Sequence, residues 1–176
     1  MTPPNVRLEP FGAPHLDDLS AILADEEIVR FTDFPDRMGA AFAPAWLSGY
    51  EEGRAAGTCE AFAALDEDGR FLGVGLAPAI DGDAHEVELG YIVVPGERGR
   101  GVGTEILRQL TEWAFTTLDA RRLVLLIDVE NGASATVAER AGFVREGVLR
   151  SRHLKGGRRI DQAIWSRLPS DPAPAA

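Results

Sequence analysis

The chain has 176 residues, 45% of them hydrophobic, and a formal net charge of -10 at neutral pH. That length suits one sizeable core better than two, and the acidity excludes broad, non-specific attraction to nucleic acid or anionic membrane. One cysteine, Cys59, excludes an intrachain disulfide and a cysteine-rich metal cluster.

Within "TCEAFAAL", Cys59 reads as a buried apolar position rather than a nucleophile. The opening "MTPPNVRLEP" has no basic segment followed by an apolar h-region, and no later run reaches membrane-spanning length, so a cytoplasmic, soluble protein is the expectation. Charge is unevenly placed. Residues 1–80 carry 5 Arg and no Lys against 14 acidic residues, a balance of -9, whereas residues 81–176 carry 13 basic and 14 acidic residues, a balance of -1. The N-terminal half is either an acidic solvated surface or the part that meets a cationic substrate.

"NVRLEPF" alternates as a first strand, and "HLDDLSAILADEEIVRF" then supplies apolar positions at helical spacing. Asp33, Pro35, Asp36 and Gly39 make residues 31–39 a loop, before "AAFAPAWLSGYEEG" turns helical in part despite Pro44. Phe31, Phe34 and Trp46 either pack the helices or border a pocket. "TCEAFAAL" and "RFLGVGLAPAI" flank "DEDGR", the signature of an antiparallel hairpin. After the turn "DGD", the strand "HEVELGYIVV" places Glu88, Gly90 and Ile92 on one face and Leu89, Tyr91 and Val93 on the other. Pro95 ends it.

"TEILRQLTEWAFTTL" is an amphipathic helix of roughly four turns. "RRLVLLIDV" suits a strand buried on both faces. "SATVAERAG" follows as a helix from just after Asn131, with Gly142 placed for its C-terminal cap. "FVREGVLRSRHL" and "RRIDQAIWSRL" pair around "KGG". The single domain spans residues 1–168, and the Pro/Ala-rich tail 169–176 is expected to be disordered. This order gives a mixed α/β sheet.

The chemistry concentrates in "RGRGVG". Gly99, Gly101 and Gly103 alternate where a helix begins, and unsatisfied amides at a helix N-terminus suit an anion. Arg98 and Arg100 add cationic donors. The nucleoside triphosphate signature "GK[ST]" and the dinucleotide GxGxxG spacing are both absent. The local chemistry leaves two readings, an anion site and a flexible structural turn. His15, His85 and His153 are scattered and form no metal-ligand spacing. "SRHLKGGRR" is a basic turn that either meets a phosphate or solvates a hairpin.

With these motifs the chain resembles the GCN5-related N-acetyltransferase (GNAT) superfamily. "RGRGVG" matches its R/Q-x-x-G-x-G/A pyrophosphate motif through Arg98, Gly101 and Gly103. "ELGYIVVPGER" and "NGASATVAERAGFVREG" look more narrowly like the ribosomal-protein N-acetyltransferase branch. The resemblance implies an acyl-CoA N-acyltransferase fold with a central mixed, mainly antiparallel sheet, splayed at an acetyl-CoA cleft and flanked by helices. It implies backbone contacts from Ile92, Val93 and Val94 to the pantetheine arm, and from Arg98, Gly99, Arg100, Gly101, Val102 and Gly103 to the diphosphate.

Further implied roles are Glu88 as general base and Ser134 as the acid that protonates coenzyme A, with Asn131 and Ser134 both near the cofactor. The residues themselves leave alternatives: a surface carboxylate for Glu88, a helix-start hydroxyl for Ser134 and a turn cap for Asn131. Many relatives carry a Tyr where this chain has Ala138, so the thiolate acid is Ser134, Tyr91 or water. The expected activity is direct acetyl transfer from acetyl-CoA to a primary amine, on a protein or peptide N-terminus. The alternatives are a small-molecule amine such as a polyamine, amino acid or aminoglycoside, and a non-catalytic acyl-CoA-binding regulator. No nucleic-acid or membrane partner is expected, and a homodimer is compatible with the chain but specified by no interface motif.

Overall fold

The computed structural model describes residues 4–35 and 38–174. Its elements in chain order are β1 (Arg7–Pro10), α1 (Leu16–Ile22), α2 (Glu26–Phe31), α3 (Phe42–Ala56), β2 (Glu60–Leu65), β3 (Phe71–Asp81) and β4 (Glu86–Val93). There follow α4 (Val102–Thr117), β5 (Arg122–Asp128), α5 (Gly132–Arg140), β6 (Val144–Lys155) and β7 (Arg158–Arg167). The seven strands form one sheet in the order β1-β2-β3-β4-β5-β7-β6. All neighbours are antiparallel except β4 and β5, the mixed, mainly antiparallel arrangement that the resemblance implies.

Local chemistry explains most boundaries. Asp66 accepts hydrogen bonds from the amides of Asp68 and Arg70, and Gly69 takes φ 81°, which closes the β2–β3 hairpin as an Asx turn. Gly156 and Gly157, at φ 54° and 74°, turn β6 into β7. Pro44 falls in the first turn of α3, where its missing N–H costs no intrahelical bond, so that helix runs unbroken.

The apolar period of residues 15–31 predicts one helical stretch, yet the structure has two. Asp25 breaks it: its backbone is extended and its carboxylate accepts the Ile28 amide at 2.9 Å, capping a new helix. The loop expected over residues 31–39 begins one residue later, since Phe31 closes α2; Asp36 and Arg37 lie outside the described residues. So do residues 1–3 and residues 175–176 of the tail, whose Asp171 exchanges two hydrogen bonds with Leu168 at the end of the domain. Cys59 is half-buried.

Strand alternation divides the core between the two faces of the sheet. On one face Val87 and Leu89 of β4 pack with Ile106, Leu107 and Leu110 of α4 and with Phe143. On the other, Ala61, Ala63, Val74 and Ile92 pack with Leu19, Ile28 and Leu47 of α1, α2 and α3. No helix of the described residues is long and apolar enough to cross a membrane.

Alternation also sets how β4 and β5 meet. Their parallel register covers only Glu86↔Arg122, Val87↔Leu123 and Glu88↔Val124. Arg122 locks this short contact, reaching Glu86 of β4 at 3.0 Å and Glu146 of β6 at 2.6 Å. Beyond Glu88 the strands diverge, and their facing edges have no partner strand.

The end of α5 yields a stability test. Gly142 sits at φ 82°, and a Cβ there would lie 2.2 Å from Nη1 of Arg167, whose guanidinium donates to the Ala141 carbonyl at the helix terminus. Gly142→Ala is expected to lower the unfolding free energy by at least about 1–2 kcal/mol, the cost of a left-handed non-Gly residue. Urea titration followed by circular dichroism measures it, and an unchanged midpoint would contradict this account.

Candidate active site

The divergence of β4 and β5 opens a cleft made of two joined cavities. One, of about 350 Å³, is lined by Tyr91, Ile92 and Val93 of β4, by the turn residues Arg98, Gly99 and Gly101, and by the starts of α4 and α5. The other, of about 600 Å³, holds Glu88, Asp33, Arg152 and an aromatic wall that includes Phe34, Trp46 and Tyr50. Tyr91, Ile92, Asn131, Ser134, Phe31 and Thr32 border both, so the cavities meet at a wall that includes the hydroxyls of Tyr91, Ser134 and Thr32. A separate hollow of about 660 Å³ between α1, α2 and α3 contains neither Glu88 nor Ser134. Size alone therefore does not locate the chemistry.

The Gly-rich turn ends with Gly101 in the left-handed region at φ 88°, as the N-cap of α4. Glycine has no side chain to cap the first turn, so the opening amides of α4 keep no internal acceptor. These amides and the positive end of the helix dipole border the smaller cavity at Val102, Gly103 and Thr104. The arginine side chains do something else. Arg98 donates to Asp25 at 2.8 Å and Glu27 at 2.5 Å, which ties the turn to α2 and holds the Asp25 carboxyl below its ordinary value. Arg100 donates to buried Glu97, which also accepts from Arg70, and faces away from the cleft. The two cations expected as anion donors are thus engaged by carboxylates, Arg98 by those of the neighbouring α2 region and Arg100 by Glu97 of the turn itself. The side chain of Val94 packs against the core cluster that α1, α2 and α3 share with the sheet.

At the junction, Tyr91 donates its hydroxyl proton to Ser134 Oγ at 3.1 Å. Burial pushes the Tyr91 phenol up to about 12, so it remains a neutral donor at ordinary pH. Asn131 caps α5, its side-chain oxygen accepting the Ser134 amide at 3.0 Å. Asn131 therefore fills the cap position that its residue type suggests while also lining both cavities. Ser134 is not the cap, and its hydroxyl faces the cleft.

Glu88 lies on the floor of the larger cavity, mostly buried. Burial raises its carboxyl above the ordinary range, Asp33 and Glu86 add to the rise, and Arg152 opposes it. Asp33 pairs with His153 at 3.1 Å. Arg152 and His153 belong to the basic "SRHLKGGRR" turn, and both line the cavity that holds Glu88. Sequence reasoning gave neither residue to that cavity, nor Asp33. The only available signal was the accumulation of charge near residue 152, since their approach to Glu88 depends on sheet order. Among the described residues no cluster of His, Cys, Asp or Glu could hold a metal ion.

A family profile for the acetyltransferase (GNAT) domain matches residues 5–144, more than three quarters of the chain. The chain belongs to the GNAT family. Spermidine N-acetyltransferase from Vibrio cholerae, solved with coenzyme A and spermine, superposes with a TM-score of 0.84 at 19% identity, covering 95% of this chain and 97% of that one. RimL, a ribosomal L7/L12 α-N-protein acetyltransferase solved with coenzyme A, also gives 0.84, at 21% identity and with 93% and 94% covered. The GNAT fold is thus shared equally with an enzyme named for a polyamine and one named for a protein N-terminus, and shape does not separate the branches. Among curated sequences, the uncharacterized N-acetyltransferase p20 of Bacillus licheniformis is 30% identical over 89 residues, 51% of this chain and 50% of that protein. The chain spans about half the length of the curated relatives it matches first.

The last glycine of the GNAT turn has a second constraint. A Cβ at Gly103 would fall 2.9 Å from Cε2 of Tyr91, a partly buried ring packed against the core. Gly103→Ala is expected to tilt that ring and weaken its bond to Ser134. The protein has 2 tyrosines, so ¹³C-tyrosine NMR can follow each phenol with pH. The Tyr91 titration should move higher still, because the bond to Ser134 is what holds it down against burial, whereas an unshifted titration would show that Gly103 does not set the ring.

Proposed function

We propose that this GNAT protein is an acetyl-CoA-dependent N-acetyltransferase acting on a small-molecule primary amine. The observation that carries the reading is the junction of the two cavities, where Glu88 on one side and the Tyr91–Ser134 pair at the boundary face a common space. The residues present fit coenzyme A: uncapped amides at the start of α4 suit a diphosphate, and the open edge of β4 offers backbone groups for an amide-containing arm. Ile92 and Val93 would serve the arm, the amides around Gly99, Gly101, Val102 and Gly103 the diphosphate, and Asn131 the region near the thioester.

When bound, acetyl-CoA would supply an activated acyl thioester. Glu88, its basicity increased by burial, accepts the proton that the acceptor amine sheds as the new N–C bond forms. Ser134 receives a hydrogen bond from Tyr91, which leaves its own proton directed at the departing sulfur as the C–S bond breaks. Tyr91 thereby holds the Ser134 hydroxyl in place. No covalent enzyme nucleophile is needed, since holding the amine beside the thioester supplies much of the acceleration.

The N-terminal amine expected from the ribosomal-protein-like motifs becomes the second reading. A cavity of about 600 Å³ with an aromatic wall is of the size and lining that hold small ligands, and the likeness to the spermidine enzyme is as close as that to RimL. Incubation with acetyl-CoA and a panel of small amines and N-terminal peptides, read by free thiol and acceptor mass, tests the proposal. A 42-Da gain, about one acetyl group, on a small amine supports it; a gain only on peptide α-amines favours the second reading. Binding of acetyl-CoA without transfer to any acceptor would make the protein a non-catalytic acyl-CoA binder.

Glu88→Gln is expected to lower kcat about 10²- to 10⁴-fold while leaving coenzyme A binding unchanged. In the parent protein kcat/KM should rise with pH through an apparent value above the ordinary carboxylate range, because the base works only when deprotonated. Glu88→Gln should erase that limb. A variant with full activity would remove Glu88 from the mechanism.

A further inference from the structure

The β6–β7 ribbon contains a distortion that hairpin pairing does not require. Leu149 faces Gln162 and His153 faces Ile160, so residues 150–152 are set against Asp161 alone. At the centre Ser151 adopts φ 53°, a costly conformation for a residue with a side chain. Asp161 holds it by accepting the Ser151 amide at 2.8 Å, and Arg159 donates to the Ser151 carbonyl at 3.3 Å. Bulges of this type re-aim side chains. Although β6 is the edge strand, three places from β4 in the sheet, the bulge brings Arg152 to the cavity that holds Glu88.

The charge of Arg152 is uncommitted. Arg98, on the smaller cavity, is bound by two carboxylates, whereas Arg152, on the cavity of Glu88, makes no ion pair or hydrogen bond among the described residues. Its charge acts on Glu88, whose carboxyl it draws down against the effect of burial. Asp33, the second acidic group of the cavity, already meets His153. A polyamine would bring further positive charge next to a free guanidinium. An acceptor with a carboxylate close to its amine would instead meet Glu88 with one group and the fork of Arg152 with the other.

We propose that Arg152 reads the acceptor, and that the acceptor is a free α-amino acid with an apolar or aromatic side chain. Its carboxylate lies on Arg152, its α-amine at Glu88, and its side chain against Phe34, Trp46 and Tyr50. The product is the N-acetyl amino acid, formed with coenzyme A thiol as the amine proton passes to Glu88 and one proton passes to sulfur. The assignment of the product rests on the acetyltransferase reading; recognition of the carboxylate does not.

Calorimetric titration of the protein, alone and saturated with coenzyme A, tests recognition apart from turnover. The probes are L-phenylalanine, L-leucine and L-methionine, their amides, and spermidine. The free acids should bind at least tenfold more tightly than the amides, which mimic a peptide N-terminus. Arg152→Gln should weaken the acids about 10- to 100-fold, the range for a charge-assisted hydrogen bond, and leave the amides unchanged, while Arg152→Lys restores part of the loss. In turnover the same variant should raise KM far more than it lowers kcat, and shift the Glu88 limb to higher pH. Amides or spermidine binding as tightly as the acids, no binding by any acid, or an unaffected Arg152→Gln would overturn the proposal. Acid-selective binding without acetyl transfer would uphold it and reject the acetyltransferase reading, and acetylation of spermidine indifferent to Arg152 would do the reverse.

Discussion

Everything else in the molecule depends on β4 and β5 pairing for three residues and then parting. A gap in the middle of a sheet leaves backbone N–H and C=O groups without partners, a costly arrangement unless the gap receives water or a ligand that can bond to them. The sheet tolerates it because β3 supports the far edge of β4 and β7 that of β5. At the closed end Arg122 ties β4 to β6 across β5, which keeps the parting where it is. Connectivity then does the rest. A parallel pair requires a crossover, here α4, and each of β4 and β5 is followed by a helix. Both helix N-termini therefore arrive at the carboxyl ends of the parting strands, the place where open α/β sheets bind ligands.

The distribution of charge takes on a different meaning in three dimensions. The acidic excess of residues 1–80 suggested either a solvated face or attraction for cations. Several of those carboxylates in fact serve as partners for arginines: Asp25 and Glu27 for Arg98, Glu60 for Arg54, and Asp66 for Arg70. The acidic N-terminal half and the Gly-rich turn are thus electrostatically matched parts of one fold. With Arg98 and Arg100 satisfied, the smaller cavity offers an anion oriented amides, whose pull is short in range and fixed in geometry, together with the side chain of Arg140.

What could be read in the sequence was what local physics decides. The β2–β3 and β6–β7 hairpins, the four-turn helix α4 and the cap of α5 all follow from periodicity, Gly placement and a capping Asn. The alternation of β4, which puts Glu88 and Tyr91 on opposite faces, was legible for the same reason. Divergence of β4 from β5 was carried by family likeness alone, because nothing in "ELGYIVV" records how far a neighbour continues. The break at Asp25 was hidden because one residue chose capping over helix continuation. The Arg152 bulge was hidden because its cause, Asp161, lies on the opposite strand.

The glycines of the turn show how one residue can answer to two constraints. Gly101 must reach φ 88°, and that alone accounts for its identity. Gly103 has ordinary helical geometry and is small because the Tyr91 ring occupies the space where a Cβ would stand. The ring in turn presents its hydroxyl to Ser134, and Asn131 fixes the backbone of Ser134 through the helix cap. An unbroken chain of contacts therefore runs from the anion-facing helix, through a strand side chain, to a hydroxyl on the second helix. A substitution made to alter anion binding at Gly103 would act on the cavity junction as well, since the two are separated by the thickness of one aromatic ring.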